Sequence, residues 1–161
     1  DSQPDACDMS CLKRRPHLDA FLAQICKDFN IAIWTSAGEE YAKCILDQII
    51  PEAYPLEFTW TSDRCTQHIN HEAGQPYLIK DLQKVKRRGY TLSRVLAIDD
   101  TPQFYEKSYG NLIPMIPFKG NPNDIQLLKV LPYLKWLKQH PNFRKIDKRH
   151  WQNHPSTRQN P

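Results

Sequence analysis

Two adjacent carboxylates, Asp99 and Asp100, follow an apolar run from Val95 to Ile98 and precede Thr101 and Pro102. A short run without polar interruption predicts a strand that is buried on both faces of a parallel sheet. In such sheets, ligands bind beyond the carboxyl ends of the strands. Neighbouring carboxylates repel each other, and Mg²⁺ is a cation that prefers oxygen ligands. The pattern therefore predicts a metal and phosphate site, with a solvated turn as the alternative.

Other residues with phosphate chemistry also stand at the ends of predicted strands. Thr35 and Ser36 come after the apolar residues 31–34, and Lys80 ends the segment that begins at Tyr77. Hydroxyl groups and an ammonium bind phosphate oxygens, while carboxylates hold the metal, as phosphoryl transfer requires. Only a nucleophile is missing from this set. Taken singly, Thr35 and Ser36 are also typical of a helix N-cap, and Lys80 of a surface ion pair.

Arg64 is a further candidate for contact with a phosphate. It stands in a polar segment from Ser62 to Pro76 that has few apolar anchors. We expect this segment to be an exposed loop near the site, because binding residues concentrate in such loops. A single arginine in a loop is equally typical of a solvated side chain.

The elements that must position these residues alternate along the chain. Apolar residues at helical spacing predict a helix from Leu18 to Phe29, and a second helix begins at Glu39. A leucine-rich helix is predicted from Asp124 to Gln139, with Pro132 near its middle. An edge strand is expected in residues 111–117. Strands that alternate with helices indicate an α/β fold with a doubly wound parallel sheet.

Composition limits the function classes. A formal charge of +4, dispersed along 161 residues, gives no indication of nucleic-acid binding. No apolar stretch reaches the roughly 20 residues that a membrane span needs, and no signal peptide is recognisable. Five cysteines, an odd number without a C-x-x-C pair, favour a reducing compartment and no structural zinc. We therefore expect a cytoplasmic protein that binds neither nucleic acid nor membrane.

Several motifs occur in a fixed order along the chain. They are Arg15 to Leu22, Ile33 to Ala37, Tyr77 to Leu82, Val95 to Pro102, and Asn123-Asp124 before the last helix. This ordered set resembles the NLI-interacting-factor-like branch of the haloacid dehalogenase superfamily, relatives of the phosphatases that act on the C-terminal tail of RNA polymerase II. The resemblance covers roughly residues 13–151. It implies a Rossmann-like parallel sheet flanked by helices, and we divide the chain into a flexible segment 1–12, a haloacid dehalogenase-like phosphatase domain 13–139, and a polar basic tail 140–161.

The resemblance also implies an activity and roles for the site residues. Its members hydrolyse phosphomonoesters with Mg²⁺ through an aspartyl-phosphate, so the partner is a phosphorylated substrate, either a phosphoprotein or a small phosphate ester. By position, Thr35 matches the hydroxyl that binds phosphate, and Lys80 the lysine that steadies the phosphate. Asp100 matches the direct metal ligand, and Asp99 a carboxylate that helps to hold the metal. Arg64 lies near the arginine-bearing loop of the family.

One motif of the family is absent. The D-x-D-x-T sequence, which supplies the nucleophile and the acid/base aspartate at the end of the first and central strand, does not occur in this chain. We expect that strand and its nucleophile to lie upstream of Asp1, and we expect the 161-residue chain to be inactive. A non-catalytic protein-binding module on the same fold is the alternative. An unrelated doubly wound domain, in which Asp99-Asp100 is a plain turn, is the third.

Overall fold

A computed structural model describes residues 12–158 of the chain. In this range four helices and six strands alternate, and short 3₁₀ segments connect several of them. The helices are α1 (Leu18–Ile25), α2 (Glu39–Ile49), α3 (Gln83–Arg87) and α4 (Gln126–Lys138). The strands are β1 (Ile31–Trp34), β2 (Leu56–Trp60), β3 (Thr66–Ile69), β4 (Pro76–Ile79), β5 (Ala97–Asp99) and β6 (Leu112–Pro114).

The strands form three separate two-stranded sheets. β1 pairs with β2 and β5 pairs with β6, both in parallel, whereas β3 and β4 form an antiparallel hairpin. The predicted α/β class is confirmed. In residues 12–158 no strand joins the two parallel pairs, so the described strands do not form one Rossmann-like sheet, and the first, central strand is the one that we expected to be absent from this chain.

β1 and β5 each have an edge to which no strand of residues 12–158 is bonded. An apolar residue in each of these strands is also exposed: Ala32 in β1, and Ile98 in β5 at 37%. Strands in a parallel sheet are ordinarily paired and covered on both faces. The free edges therefore leave hydrogen-bonding groups that a further strand could engage.

The core lies on both faces of the parallel strands. Leu112 and Ile113, consecutive residues of β6, belong to two different clusters, as the alternation of side chains along a strand requires. The cluster that contains Ile113 is built mainly from α1, α4 and the residues after α4. The cluster that contains Leu112 draws on β2, α3 and the 3₁₀ segment after β5. The helices therefore cover opposite faces, and the continuous apolar runs of the strands follow from this arrangement.

Part of the segment from Ser62 to Pro76, expected to be a loop, is structured. Residues 62–64 form a 3₁₀ turn, and Thr66–Ile69 is strand β3, paired from Thr66 with Ile79 to Ile69 with Pro76. The loop prediction is wrong for β3 because its sequence, TQHI, has no apolar alternation to indicate a strand. Pairing with β4 holds it in place instead.

The segment from residue 140 to 158 is more extensively packed than its polar composition suggests. Trp151 is 1% exposed, and its Nε1 donates to the Pro114 carbonyl at 2.7 Å. Phe143 is buried too, and Ile146 packs against the same cluster. Two aromatic anchors thus attach a proline-rich stretch of 3₁₀ turns to α4 and β6.

The segment from residue 140 to 158 also contains a buried ammonium group. Lys148 is 3% exposed, and its Nζ donates to the carbonyls of Phe143 at 2.5 Å and Ile146 at 2.8 Å. Burial lowers the pKa of Lys148 to about 8, although the neighbouring Asp147 carboxylate acts in the opposite direction. The side chain therefore donates to two carbonyls, of which that of Phe143 also accepts from the backbone N–H of Ile146 at 3.3 Å.

We expect Lys148→Met to lower the free energy of unfolding by about 2 kcal/mol, because the Ile146 carbonyl loses its donor and the Phe143 carbonyl loses the shorter of its two hydrogen bonds. The loss should grow as the pH rises from 8 towards 10.5. In that range the unfolded chain still holds the proton that the folded wild type has released, so deprotonation favours the folded wild type alone. Urea unfolding of both proteins at several pH values measures this, and a loss that shrinks with pH would contradict it.

An ion pair with little exposure to solvent joins two motifs that lie far apart in the sequence. Arg15 contacts Asp124 through Nε at 3.1 Å and Nη2 at 3.0 Å, and the same Nη2 donates to the Ile116 carbonyl at 2.8 Å. Asp124 also accepts from the backbone N–H of Gln126 at the start of α4. The bidentate contact thus ties the residues before α1 to the start of α4.

The cysteines differ in whether they form a disulfide bond. Cys26 and Cys65 are free, as we expected, but Cys44 is disulfide-bonded, so the prediction of reduced cysteines is wrong there. Sequence spacing could not show which thiols the fold brings within bonding distance. In the part of the chain from 12 to 158, no helix is long and apolar enough to cross a membrane.

Candidate active site

The structure brings Lys80 and Asp99 together. Lys80 follows β4 and Asp99 ends β5, and the Lys80 Nζ donates to Asp99 Oδ2 at 2.6 Å. Their side chains are 5% and 12% exposed. Removing one partner of an ion pair this well shielded from water leaves an uncompensated charge, which costs more than breaking a surface pair. The surface ion pair considered from the sequence is therefore not what forms.

Asp99 receives two more hydrogen bonds. The backbone N–H of Thr101 donates to Oδ1 at 3.1 Å, and the hydroxyl of Tyr105 donates to Oδ2 at 3.2 Å. Burial, reinforced by the charge of Asp99, raises the pKa of Tyr105, so this hydroxyl stays protonated and acts as a donor. Three donors fix the carboxylate in one orientation. Tyr105 was not predicted as a site residue, because the only indication in the sequence was its position shortly after Pro102.

Aromatic rings enclose the ammonium of Lys80. Its Nζ lies 4.7 Å from the ring centroid of Phe104 and 5.8 Å from that of Tyr105. The backbone N–H of Lys80 donates to the Phe104 carbonyl at 2.8 Å, so the 3₁₀ segment after β5 packs directly on β4. The cation–π contacts stabilise the ammonium, and the exclusion of water strengthens its electrostatic interactions.

Asp100 is the exposed member of the carboxylate pair. Its Oδ1 accepts a hydrogen bond from the Thr101 hydroxyl at 3.0 Å, and its second oxygen has no hydrogen bond within the described residues. No group of three or more His, Cys, Asp or Glu side chains suited to a metal ion occurs in residues 12–158. Mg²⁺ is commonly bound through one or two carboxylates and several waters. The free oxygen of Asp100 fits that mode.

Thr35 and Ser36 stand at the end of β1 and are half-buried. The Thr35 hydroxyl accepts from the backbone N–H of Ala37 at 3.1 Å, which leaves its own proton available for donation. Neither side chain caps α2, whose N-cap is Gly38, so the N-cap alternative is wrong. Neither contacts Lys80 or Asp99 directly in residues 12–158.

Cys65 is half-buried, and its thiol is free. Burial raises the pKa of this thiol, while the indole of Trp34 and the positive charges of Lys80 and Lys84 act in the opposite direction. Cys65 was not among the predicted site residues.

The Arg64 side chain contacts an aromatic ring and not the other candidate residues. Its guanidinium carbon lies 5.2 Å from the ring centroid of Trp60, and the side chain is exposed. No contact joins Arg64 to Lys80 or Asp99 in the part of the chain that the structure describes. The residues proposed from the sequence thus separate into a Lys80–Asp99–Asp100 centre, a neighbouring hydroxyl pair, and an arginine on an aromatic surface.

Comparison with known proteins identifies several relatives. The chain is 27% identical over 143 residues to the CTD nuclear envelope phosphatase 1 homolog of Caenorhabditis elegans, covering 89% of this chain and 54% of that protein. It is 28% identical over 142 residues to nuclear envelope morphology protein 1 of Saccharomyces cerevisiae, with coverage of 84% and 31%. It is 29% identical over 124 residues to the mitochondrial import inner membrane translocase subunit TIM50 of Yarrowia lipolytica, with coverage of 77% and 25%.

The chain therefore spans between about a quarter and about half of the length of these relatives. Their names describe a phosphatase homolog, a protein of nuclear envelope morphology and a translocase subunit. The family model described as NLI interacting factor-like phosphatase matches residues 6–144, which is most of the sequence. The match includes Thr35, Lys80, Asp99 and Asp100. The chain belongs to the NLI interacting factor-like phosphatase family.

Proposed function

We propose that this chain supplies the phosphate- and metal-binding residues of a Mg²⁺-dependent phosphomonoester hydrolase. The observation that carries the proposal is the buried contact of Lys80 with Asp99, beside the exposed carboxylate of Asp100. Cation and carboxylates at adjoining strand ends are the arrangement that stabilises a transferring phosphoryl group. A phosphorylated substrate, protein or small ester, and a cytoplasmic location stay predictions.

Lys80 would neutralise charge on the phosphoryl group. Its ammonium has three protons, of which one is directed at Asp99, so others remain for phosphate oxygens. The aromatic rings of Phe104 and Tyr105 keep the group in one place. Thr35 and Ser36, at the end of the neighbouring parallel pair, would donate hydroxyl protons to the same phosphate.

Asp100 would be the direct ligand of Mg²⁺, and Asp99 would hold the ion through a bound water. The hydrogen bonds of Asp99 support this distinction, because its carboxylate is already engaged by Lys80, Thr101 and Tyr105. When bound, Mg²⁺ supplies positive charge that stabilises the phosphoryl oxygens. Asp100 remains free to reach it from the exposed side.

The nucleophile would come from a strand that pairs with the free edges of β1 and β5. The printed sequence has no D-x-D-x-T motif, and the two parallel pairs have no strand between them in residues 12–158. A parallel strand placed there would join β1–β2 to β5–β6 and deliver its carboxyl end beside Lys80 and Thr35. We propose that this strand lies upstream of Asp1, and that it completes a haloacid dehalogenase-like sheet.

A non-catalytic binding module is the second candidate. The relative named as a translocase subunit shows the same stretch of sequence in a protein that is not named as a phosphatase. Such a module would keep the fold and the Lys80–Asp99 contact without a nucleophile. Metal binding by Asp100 distinguishes the two candidates, because a module of this kind needs no Mg²⁺.

Calorimetric titration of the 161-residue chain with Mg²⁺, in the presence of inorganic phosphate, tests the proposal. We expect saturable Mg²⁺ binding that Asp100→Asn weakens at least about tenfold, since it removes the charged ligand. Asp81→Asn is the matched control: Asp81 follows Lys80 directly, and its Oδ1 accepts from the Gln83 N–H at the start of α3, a bond that asparagine can also form. Equal binding by Asp100→Asn and wild type would refute the assignment.

A further inference from the structure

A groove lies between α2 and β2, beside the candidate active site. Its volume is about 930 Å³, and residues of both elements line it. The charged side chains of the lining are the basic Lys43, Arg64 and Arg88 and the acidic Glu39, Asp47, Glu52 and Asp63. We call it the α2–β2 groove. Its floor includes Trp60 and Thr61, and the Trp60 carbonyl accepts from the backbone N–H of Thr35 at 2.9 Å. One end of the groove therefore adjoins the proposed phosphate-binding hydroxyls.

Two arginines share an aromatic surface in this groove. Phe58 and Trp60 are stacked with ring centroids 4.1 Å apart. The guanidinium carbon of Arg64 lies 5.2 Å from the Trp60 centroid, and that of Arg88 lies 5.0 Å from Phe58 and 6.0 Å from Trp60. We call these four residues the arginine–aromatic platform.

Neither guanidinium of the platform forms an ion pair with a carboxylate of residues 12–158. The nearest acidic residue in sequence, Asp63, accepts a hydrogen bond from the Thr61 hydroxyl at 2.6 Å. Arg88 makes only a long contact of 3.5 Å with the Glu57 carbonyl. Stacking on an aromatic ring leaves the in-plane N–H groups of arginine free, and that fork matches the oxygens of a phosphoryl group.

We propose that the platform binds a second phosphoryl group of an extended phosphopeptide substrate. This rests on the proposed function, because the first phosphoryl group would enter the Lys80 site. An extended peptide suits the groove, since β2 is paired only with β1 in the described residues and the groove follows its length. A concave groove offers no flat basic face to a membrane. The substrate class is thus a protein segment with two phosphorylated residues.

Fluorescence anisotropy of labelled synthetic peptides tests this with the 161-residue chain. The peptides share one sequence and carry no phosphate, one phosphate, or two phosphates at several spacings. We expect the best doubly phosphorylated peptide to bind about tenfold more tightly than the singly phosphorylated one. Arg64→Ala or Arg88→Ala should remove most of that difference and leave binding of the singly phosphorylated peptide within about twofold.

Arg87→Ala is the matched control. Arg87 is exposed, stands beside Arg88, and makes no cation–π contact in the described range, so its removal changes net charge equally without touching the platform. It should leave the preference for two phosphates intact. Circular dichroism checks that each variant is folded. Equal affinities for the two peptides, or equal effects of Arg87→Ala and Arg88→Ala, would overturn the proposal.

Two further measurements distinguish the remaining explanations of peptide binding. They use the Lys80→Gln variant and anionic vesicles. If Lys80→Gln weakens both phosphopeptides while the platform variants weaken only the doubly phosphorylated one, both proposals are supported. If Lys80→Gln has no effect but the platform variants do, the proposed function fails while the platform stands. Binding to phosphatidylserine vesicles that Arg64→Ala and Arg88→Ala abolish, without a preference for the doubly phosphorylated peptide, would overturn the peptide assignment in favour of a membrane surface.

Discussion

Lys80→Met is expected to lower the free energy of unfolding by about 3 kcal/mol, because it leaves the Asp99 carboxylate in a shielded position without its counter-ion. Both side chains are largely buried, so the interaction is not screened as a surface pair would be. Methionine keeps the length of the side chain and can still contact Phe104 and Tyr105. The decrease in the free energy of unfolding therefore measures the effect of removing the positive charge. Urea unfolding at neutral pH, followed by circular dichroism, measures it.

Two further variants test the cause. Lys84→Met removes an ammonium that donates to the Arg64 carbonyl in an exposed position, and it should cost under about 1 kcal/mol. Combining Lys80→Met with Asp99→Asn removes both charges, so the double variant should be more stable than Lys80→Met alone. If the double variant is less stable than the single one, the ion pair is not the source of the effect.

The positions of Lys80 and Asp99 in the sequence explain why this part of the site could be predicted. Lys80 and Asp99 each follow a short apolar run, and such runs become neighbouring strand ends in an α/β protein. The strand positions themselves were predicted within a few residues for β1, β4, β5 and β6. Short runs of apolar residues supported these predictions, because helices cover both faces of the parallel strands.

Other parts of the site could not be predicted, since they depend on contacts between distant residues. Tyr105 reaches Asp99 only because a 3₁₀ turn folds back over β5, and Arg15 meets Asp124 across more than a hundred residues. The hairpin strand β3 carries no apolar signal. Arg64 was identified as a phosphate ligand by residue type, but its position over Trp60 follows from the turn in residues 62–64.

Adding the proposed amino-terminal strand is expected to have the largest effect on activity. We expect a chain extended at its amino terminus by an apolar strand ending in D-x-D-x-T to hydrolyse p-nitrophenyl phosphate with Mg²⁺, at least about a thousandfold faster than the 161-residue chain. The reason is that a carboxylate nucleophile beside Lys80 and Asp100 opens a covalent route that the shorter chain lacks. Initial rates with and without Mg²⁺ measure the difference.

The extended chain should also be more stable, since the new strand would satisfy backbone groups at the free edges of β1 and β5. Replacing the first aspartate of its motif by asparagine is the matched control, because it keeps the strand while removing the nucleophile. That variant should retain the gain in stability and lose the activity. A gain in stability without any activity would favour the binding module. Hydrolysis by the 161-residue chain itself, lost on Asp100→Ala, would show that the nucleophile does not come from an added strand.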